Sequence, residues 1–230
     1  MKNKFLKSSL FLLFIISAFV LNAQDWANLH RYQQENDSIM SLKTNKCKVV
    51  FMGNSITEFW KETHPEFFIK NFYLDRGISG QTTPQMLIRF RQDVINLKPK
   101  VVVILAGTND IAGNTGPSTL EMILNNIASM AELAKVNGIQ PVICSVLPAY
   151  DYPWHHGMEP NIKIPKLNEM IKAYAMKKGF IYVDYFKAMA DDKNAMISEY
   201  TTDGVHCTLK GYEKMESIVQ PAIEKALKRK

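Results

Sequence analysis

Short, almost uninterrupted apolar runs recur along the chain, separated by longer segments of mixed polarity. Val49-Val50-Phe51-Met52, Phe72-Tyr73-Leu74, Val101-Val102-Val103-Ile104-Leu105, Val142-Ile143-Cys144 and Ile181-Tyr182-Val183 predict five strands. Runs without polar alternation imply burial on both faces, as in a parallel sheet covered by helices on either side. Leu120, Ile123, Leu124, Ile127, Ala131 and Ala134 fall on one face of a helix between the third and fourth runs, and Gly138 supplies its stop. Met86, Leu87 and Phe90 mark a helix after the second run, with Thr82 or Thr83 as its cap. Leu209, Tyr212, Met215, Val219, Ile223 and Ala226 form a similar face in the last segment, where Pro221 is expected to kink or restart the helix. The polar segment from Asp25 to Lys43 is helix-compatible, with Trp26, Leu29, Tyr32 and Met40 as a loose apolar stripe leading into the fold. Strands alternating with amphipathic segments in this way specify an α/β protein built from βα units.

The N-terminus breaks this pattern. Lys2, Lys4 and Lys7 precede an apolar stretch from Ser9 to Leu21, followed by Asn22-Ala23. That order is a secretory signal, with cleavage expected after Ala23 and a single domain over residues 24–230. The apolar stretch of 13 residues is short of the roughly 20 needed to span a bilayer. An uncleaved signal anchor is the alternative. No cysteine stands at the cleavage site to carry a lipid, so the mature protein is expected to be secreted or periplasmic, without stable membrane insertion.

Composition changes little. With 230 residues and 47% hydrophobic content, one core is expected. The net charge of +6 falls to +3 without the three signal lysines, and the excess forms no stripe that would recruit nucleic acid. Three cysteines, Cys47, Cys144 and Cys207, cannot all pair within one chain, and their spacing suits no metal. Cys47 and Cys144 are expected to pack, and packing is preferred for Cys207 despite its place beside His206.

Right-handed crossovers bring the loops after successive strands to one edge of the sheet, where ligands bind in open α/β folds. Ser55, Gly80, Asn109, Asp203 and His206 all belong to such loops. Ser55 follows the first strand and opens a helix-compatible segment, so it is either a helix cap or a nucleophile with its own N–H facing the site. Gly80 permits close backbone approach to a bound ester, although Gly77 competes for that role. The Asn109 side-chain amide offers a third donor, though asparagine in a loop is often structural. Asp203 lies three residues before His206, within reach of one ring nitrogen while the other faces a serine. His155 and His156, in Tyr150-Asp151-Tyr152-Pro153-Trp154-His155-His156-Gly157 after the fourth strand, are the rival histidines and more readily shape the pocket.

Together Gly53-Asn54-Ser55, Ser79-Gly80, Gly107-Thr108-Asn109-Asp110 and Asp203-Gly204-Val205-His206 resemble the four blocks of the SGNH or GDSL-type serine esterases and lipases, over about Lys48 to Lys225. The platelet-activating-factor acetylhydrolase-like branch is especially similar. The resemblance implies a three-layer α/β/α, flavodoxin-like fold with a parallel five-stranded sheet of order 2-1-3-4-5. It implies Ser55 as nucleophile, His206 as base, Asp203 as its orienter, and Ser55, Gly80 and Asn109 as the oxyanion hole, with no metal or organic cofactor. Two positions depart from the family pattern: Asn54 stands where an aspartate precedes the serine, and Asp75-Arg76-Gly77 stands where Asn-Arg-Gly is frequent.

The expected substrate is a small-molecule or oligosaccharide ester. Tyr150, Tyr152, Trp154 and His155 are candidate substrate-binding residues, since loop aromatics stack on sugar rings and favour removal of acetyl groups from carbohydrates. They can equally form an apolar cover over the sheet edge. Cleavage of longer lysophospholipid or thioester chains is the alternative within the family. A catalytically idle glycan-binding module is the alternative outside it.

Overall fold

The computed structural model describes residues 25–42 and 47–229. The proposed signal segment lies outside the described residues. Five parallel strands, β1 (Val49–Gly53), β2 (Tyr73–Gly77), β3 (Val101–Ile104), β4 (Gln140–Cys144) and β5 (Ile181–Val183), form one sheet in the order β2-β1-β3-β4-β5. The order expected from the resemblance is the order observed.

Side-chain alternation divides the core between the two faces. Val50, Met52, Val102 and Ile104 join one apolar cluster, whereas Val49, Phe51, Val101 and Val103 join the other. The first cluster is closed by α4 (Thr83–Asp93), the short α5 (Thr108–Ile111), α6 (Leu120–Val136) and α7 (Pro160–Lys178), with α1 (Gln33–Ser41) at its margin. The second is closed by α2 (Ser55–Thr63), α3 (Pro65–Asn71), α8 (Tyr185–Met189) and α9 (Leu209–Leu227). A helix on each face explains why the strands read as continuous apolar runs.

Three expectations need correction. The second strand begins at Tyr73 and runs through polar Asp75 and Arg76 to Gly77. Phe72 instead ends α3, exposed and in the left-handed region at φ 57°. The stripe expected on the first helix does not form: Trp26 and Met40 are exposed, and the buried residue of α1 is Asn36. Its side-chain oxygen accepts from Nε and Nη2 of Arg76 at 3.1 and 2.8 Å, while its amide donates to Asp93 at 2.7 Å. Burying the Arg76 guanidinium requires such acceptors, and α1 docks to provide one. Finally, α9 continues through Pro221, which sits on the exposed face of the helix.

Candidate active site

Asn54 and Ser55 occupy the turn from β1 into α2. Asn54 is the N-cap, and its side-chain oxygen accepts the Ile56 N–H at 3.1 Å. An asparagine here therefore does the work of an N-cap without carrying a charge beside Ser55. Ser55, first residue of the helix, carries an N–H that has no acceptor within the helix. The Ser55 hydroxyl donates to Nε2 of His206 at 3.0 Å. The opposite ring nitrogen, Nδ1, donates to Oδ2 of Asp203 at 2.7 Å.

The loop carrying His206 is held by its own hydrogen bonds. Oδ1 of Asp203 accepts the N–H groups of Val205 and His206 at 2.9 and 2.7 Å. Burial pulls the Asp203 carboxyl upward, but the bonds from the His206 ring and these two amides outweigh it and hold the group below its ordinary value. Thr201 closes the turn, accepting from the Gly204 N–H at 2.9 Å and donating to the His206 carbonyl at 2.8 Å. Cys207 packs against Met215, with its thiol pushed up to about 12 by burial, in keeping with a packing role.

Gly80 and Asn109 converge on the same cleft as Ser55 and His206. Gly80 has φ 76°, a conformation that side-chain-bearing residues rarely adopt. Gly77 answers a different need: a Cβ there would lie 2.2 Å from the Glu58 backbone nitrogen, so its glycine lets α2 pack on β2. One hydrogen of the Asn109 amide donates to the Gln81 carbonyl at 2.9 Å, which leaves the second for a ligand. The neighbouring Asp110 accepts the N–H and hydroxyl of Thr83 and so binds the start of α4; burial pushes its carboxyl up to about 6 despite those bonds. Thr82, not Thr83, is the helix cap, in a reciprocal arrangement with Gln85.

The cleft is small, about 280 Å³, with the rings of Phe59 and Trp154 flanking His206 at 5.2 and 6.2 Å. Phe59 escaped the sequence reading, although its place one helical turn after Ser55 was the available signal. Asn114 had no sequence signal; it accepts from the Trp154 indole at 3.2 Å and donates to the Gly80 carbonyl at 3.2 Å. Of the four loop residues expected to meet substrate, only Trp154 lines the cleft. Tyr152 is fully buried beneath it, stacked on its ring at 5.1 Å, with its hydroxyl on Thr108, so it has no free face to offer a ligand. Tyr150 is exposed away from the cleft lining, and the His155 ring bonds the Ala112 carbonyl. His156 pairs with Asp151 at the surface.

Larger depressions of about 620 and 600 Å³ lie beside α1 and α4 and between α3 and α9, but in neither does a hydroxyl bond a histidine. Among the described residues, no cluster of three or more His, Cys, Asp or Glu is arranged to hold a metal ion. No helix among them is long and apolar enough to cross a membrane.

Comparison with known proteins agrees with this fold. Residues 51–214 match the model of the GDSL-like Lipase/Acylhydrolase family. A crystal structure of a Bacteroides fragilis protein assigned as an acylhydrolase is 49% identical, with a TM-score of 0.85 over 89% of this chain and 100% of that one. A Bacteroides thetaiotaomicron GDSL-like lipase is 50% identical, with a TM-score of 0.83 over 87% of this chain and 98% of that one. Platelet-activating factor acetylhydrolase IB subunit alpha2 of Rattus norvegicus is 27% identical over 197 residues, covering 79% of this chain and 78% of the relative.

Proposed function

The chain belongs to the GDSL-like lipase/acylhydrolase family and is an ester hydrolase, and from that premise we propose that it acts through an acyl-enzyme on Ser55. The observation that carries this reading is the continuous chain Ser55 Oγ to His206 Nε2 at 3.0 Å and His206 Nδ1 to Asp203 Oδ2 at 2.7 Å. His206 takes the hydroxyl proton as Ser55 attacks the ester carbonyl. Asp203 holds the ring in the tautomer that leaves Nε2 free to accept, and stabilises the imidazolium that forms. The Ser55 and Gly80 N–H groups and the Asn109 amide hold the oxyanion. Collapse of the tetrahedral intermediate passes the proton from His206 to the departing alcohol. Water activated by the same histidine then releases the acid and restores Ser55.

The substrate is an acetyl or other short acyl ester of a carbohydrate. A cleft of about 280 Å³ favours a short acyl group, and the half-exposed Trp154 ring at its rim favours a sugar as the alcohol. The protein is secreted or periplasmic after cleavage following Ala23.

A fluorophosphonate probe tests the mechanism: covalent labelling at Ser55 together with hydrolysis of p-nitrophenyl acetate is expected. Absence of both leaves a glycan-binding module. Acetyl, octanoyl and palmitoyl esters compared with acetylated oligosaccharides test the substrate. Preference for the long chains replaces the carbohydrate reading with lysophospholipid or thioester cleavage.

A further inference from the structure

Gly80 can serve the reaction only if its N–H is held in place, yet it lies in a short loop between β2 and α4. Its two neighbours are fixed by different means. Ser79 donates both its N–H and its hydroxyl to one carboxylate oxygen of Glu58, at 2.7 and 2.5 Å. Glu58 is on α2, three residues after Ser55, so this clasp ties the loop directly to the helix that begins with the nucleophile. Its other oxygen accepts from Arg31 at 2.8 Å. Burial alone would raise the Glu58 carboxyl, but the Ser79 and Arg31 bonds hold it below the ordinary value, so it is a charged acceptor at neutral pH.

Gln81, on the other side of Gly80, is buried and bonded from three directions. Its carbonyl accepts from Asn109, its side-chain oxygen accepts from Arg89 at 2.6 Å, and its amide donates to the Ala27 carbonyl at 2.7 Å. Arg89 in turn donates to the Gly53 carbonyl, two residues before Ser55. Arg31 and Ala27 both precede the segment that matches the family model. The N-terminal strap therefore grips the loop on both sides of Gly80.

We infer that Glu58 is a positioning residue for the oxyanion hole: through Ser79 it fixes the Gly80 N–H relative to Ser55, with Arg31 of the N-terminal strap holding the carboxylate in place. The inference rests on the serine-esterase reading above. A charged acceptor bridging two N- or O-linked hydrogens on one residue sets the loop's orientation as well as its distance. Because an oxyanion donor acts on the transition state more than on bound substrate, its misplacement lowers kcat and leaves KM nearly unchanged.

The test uses the full mature chain with p-nitrophenyl acetate and a small boronic acid, which forms a tetrahedral adduct on a nucleophilic serine. Glu58→Ala is expected to lower kcat by about tenfold or more with KM within about twofold, and to raise the boronate Ki by the factor lost in kcat/KM. Glu58→Gln, whose amide oxygen still accepts from Ser79, is expected to recover most of the loss. A wild-type kcat in Glu58→Ala, or a loss expressed in KM alone, overturns the inference. Should Glu58→Ala not fold, Ser79→Ala carries the test: a lower kcat with a matching rise in boronate Ki supports the clasp, and unchanged values overturn it. Failure of the wild-type chain to react with a fluorophosphonate at Ser55 removes the esterase reading itself. A labelled wild-type chain with unaffected Glu58 and Ser79 variants removes only the positioning role.

Discussion

The Tyr212 hydroxyl on α9 donates at 2.9 Å to the carbonyl of Ile56, the residue that follows Ser55. The His206 loop ends where α9 begins, so this bond links the helix that starts at Ser55 to the helix that anchors the His206 loop. Trp60 strengthens the link, stacking on the Tyr212 ring at 5.5 Å and donating to Glu216 of α9 at 2.9 Å. Tyr212→Phe keeps the ring and loses the bond, so it is expected to cost about 1 kcal/mol of stability and reduce kcat modestly. Trp60→Ala empties a fully buried site at the centre of an aromatic cluster and is expected to cost about 3–5 kcal/mol. Urea denaturation with parallel kinetics checks both, and a Tyr212→Phe protein equal to wild type in stability and rate shows that the bond does not couple the helices.

Asp203 and His155 make contrasting targets. Asp203→Asn replaces the acceptor that orients His206 and disturbs the turn that Asp203 builds with Val205. The expected loss in kcat is on the order of 10³–10⁴, as for a base left in the wrong tautomer. His155 bonds a backbone carbonyl outside the cleft lining, and His155→Ala is expected to leave kcat within about threefold. Equal losses in the two variants place the base elsewhere.

Asn109→Ala removes the proposed oxyanion donor and also the bond to Gln81. About 3 kcal/mol of transition-state stabilisation should disappear, near a hundredfold in kcat. Gln81 remains tied to Ala27 and Arg89, so the thermal midpoint should move little. A large drop in midpoint with an intact kcat makes Asn109 a structural residue.

The parallel sheet was legible because its central strands β1 and β3 are buried on both faces and therefore almost uniformly apolar, whereas β2 was cut short because its interior holds Asp75 and Arg76. Those two groups are buried only because Asn36, Glu35 and Tyr32 arrive from another part of the chain, which no local pattern reveals. The same remoteness hid how α1 docks: its buried residue is the polar Asn36, with Ile39 packed at the edge of the apolar cluster and Met40 exposed. On α7, Ile164, Leu167, Ile171 and Ala175 do fall on one buried face, but Pro165 inside the helix masks the period. The residues of the candidate triad were legible for a different reason, since Asp203 and His206 meet through a local turn and Ser55 stands two residues after a recognisable strand. Asn114 and the Glu58 clasp on Ser79 depend on how α2 and the loops around the cleft meet, so the sequence alone could not rank them above other polar positions.

Asp75 carries the last prediction. It is 2% exposed, with one oxygen accepting the Gly77 N–H at 2.6 Å and the other without a hydrogen-bond partner. Burial pushes its carboxyl from 3.8 up to about 7. In the window between those values the folded protein retains a proton that the unfolded chain has released. The stability associated with that proton is fully present below about pH 4 and is lost as pH rises through about 7. Asp110, raised to about 6, acts in the same direction over a narrower window. Asp203 acts in the opposite sense, contributing stability above its unfolded value that is lost in acid. Asp75→Asn places a neutral group of the same shape at the buried position, so its stability relative to wild type should improve from about pH 4 and level off above about pH 7. Thermal midpoints of the two proteins across that range check the sign, and parallel curves show that Asp75 does not hold the proton.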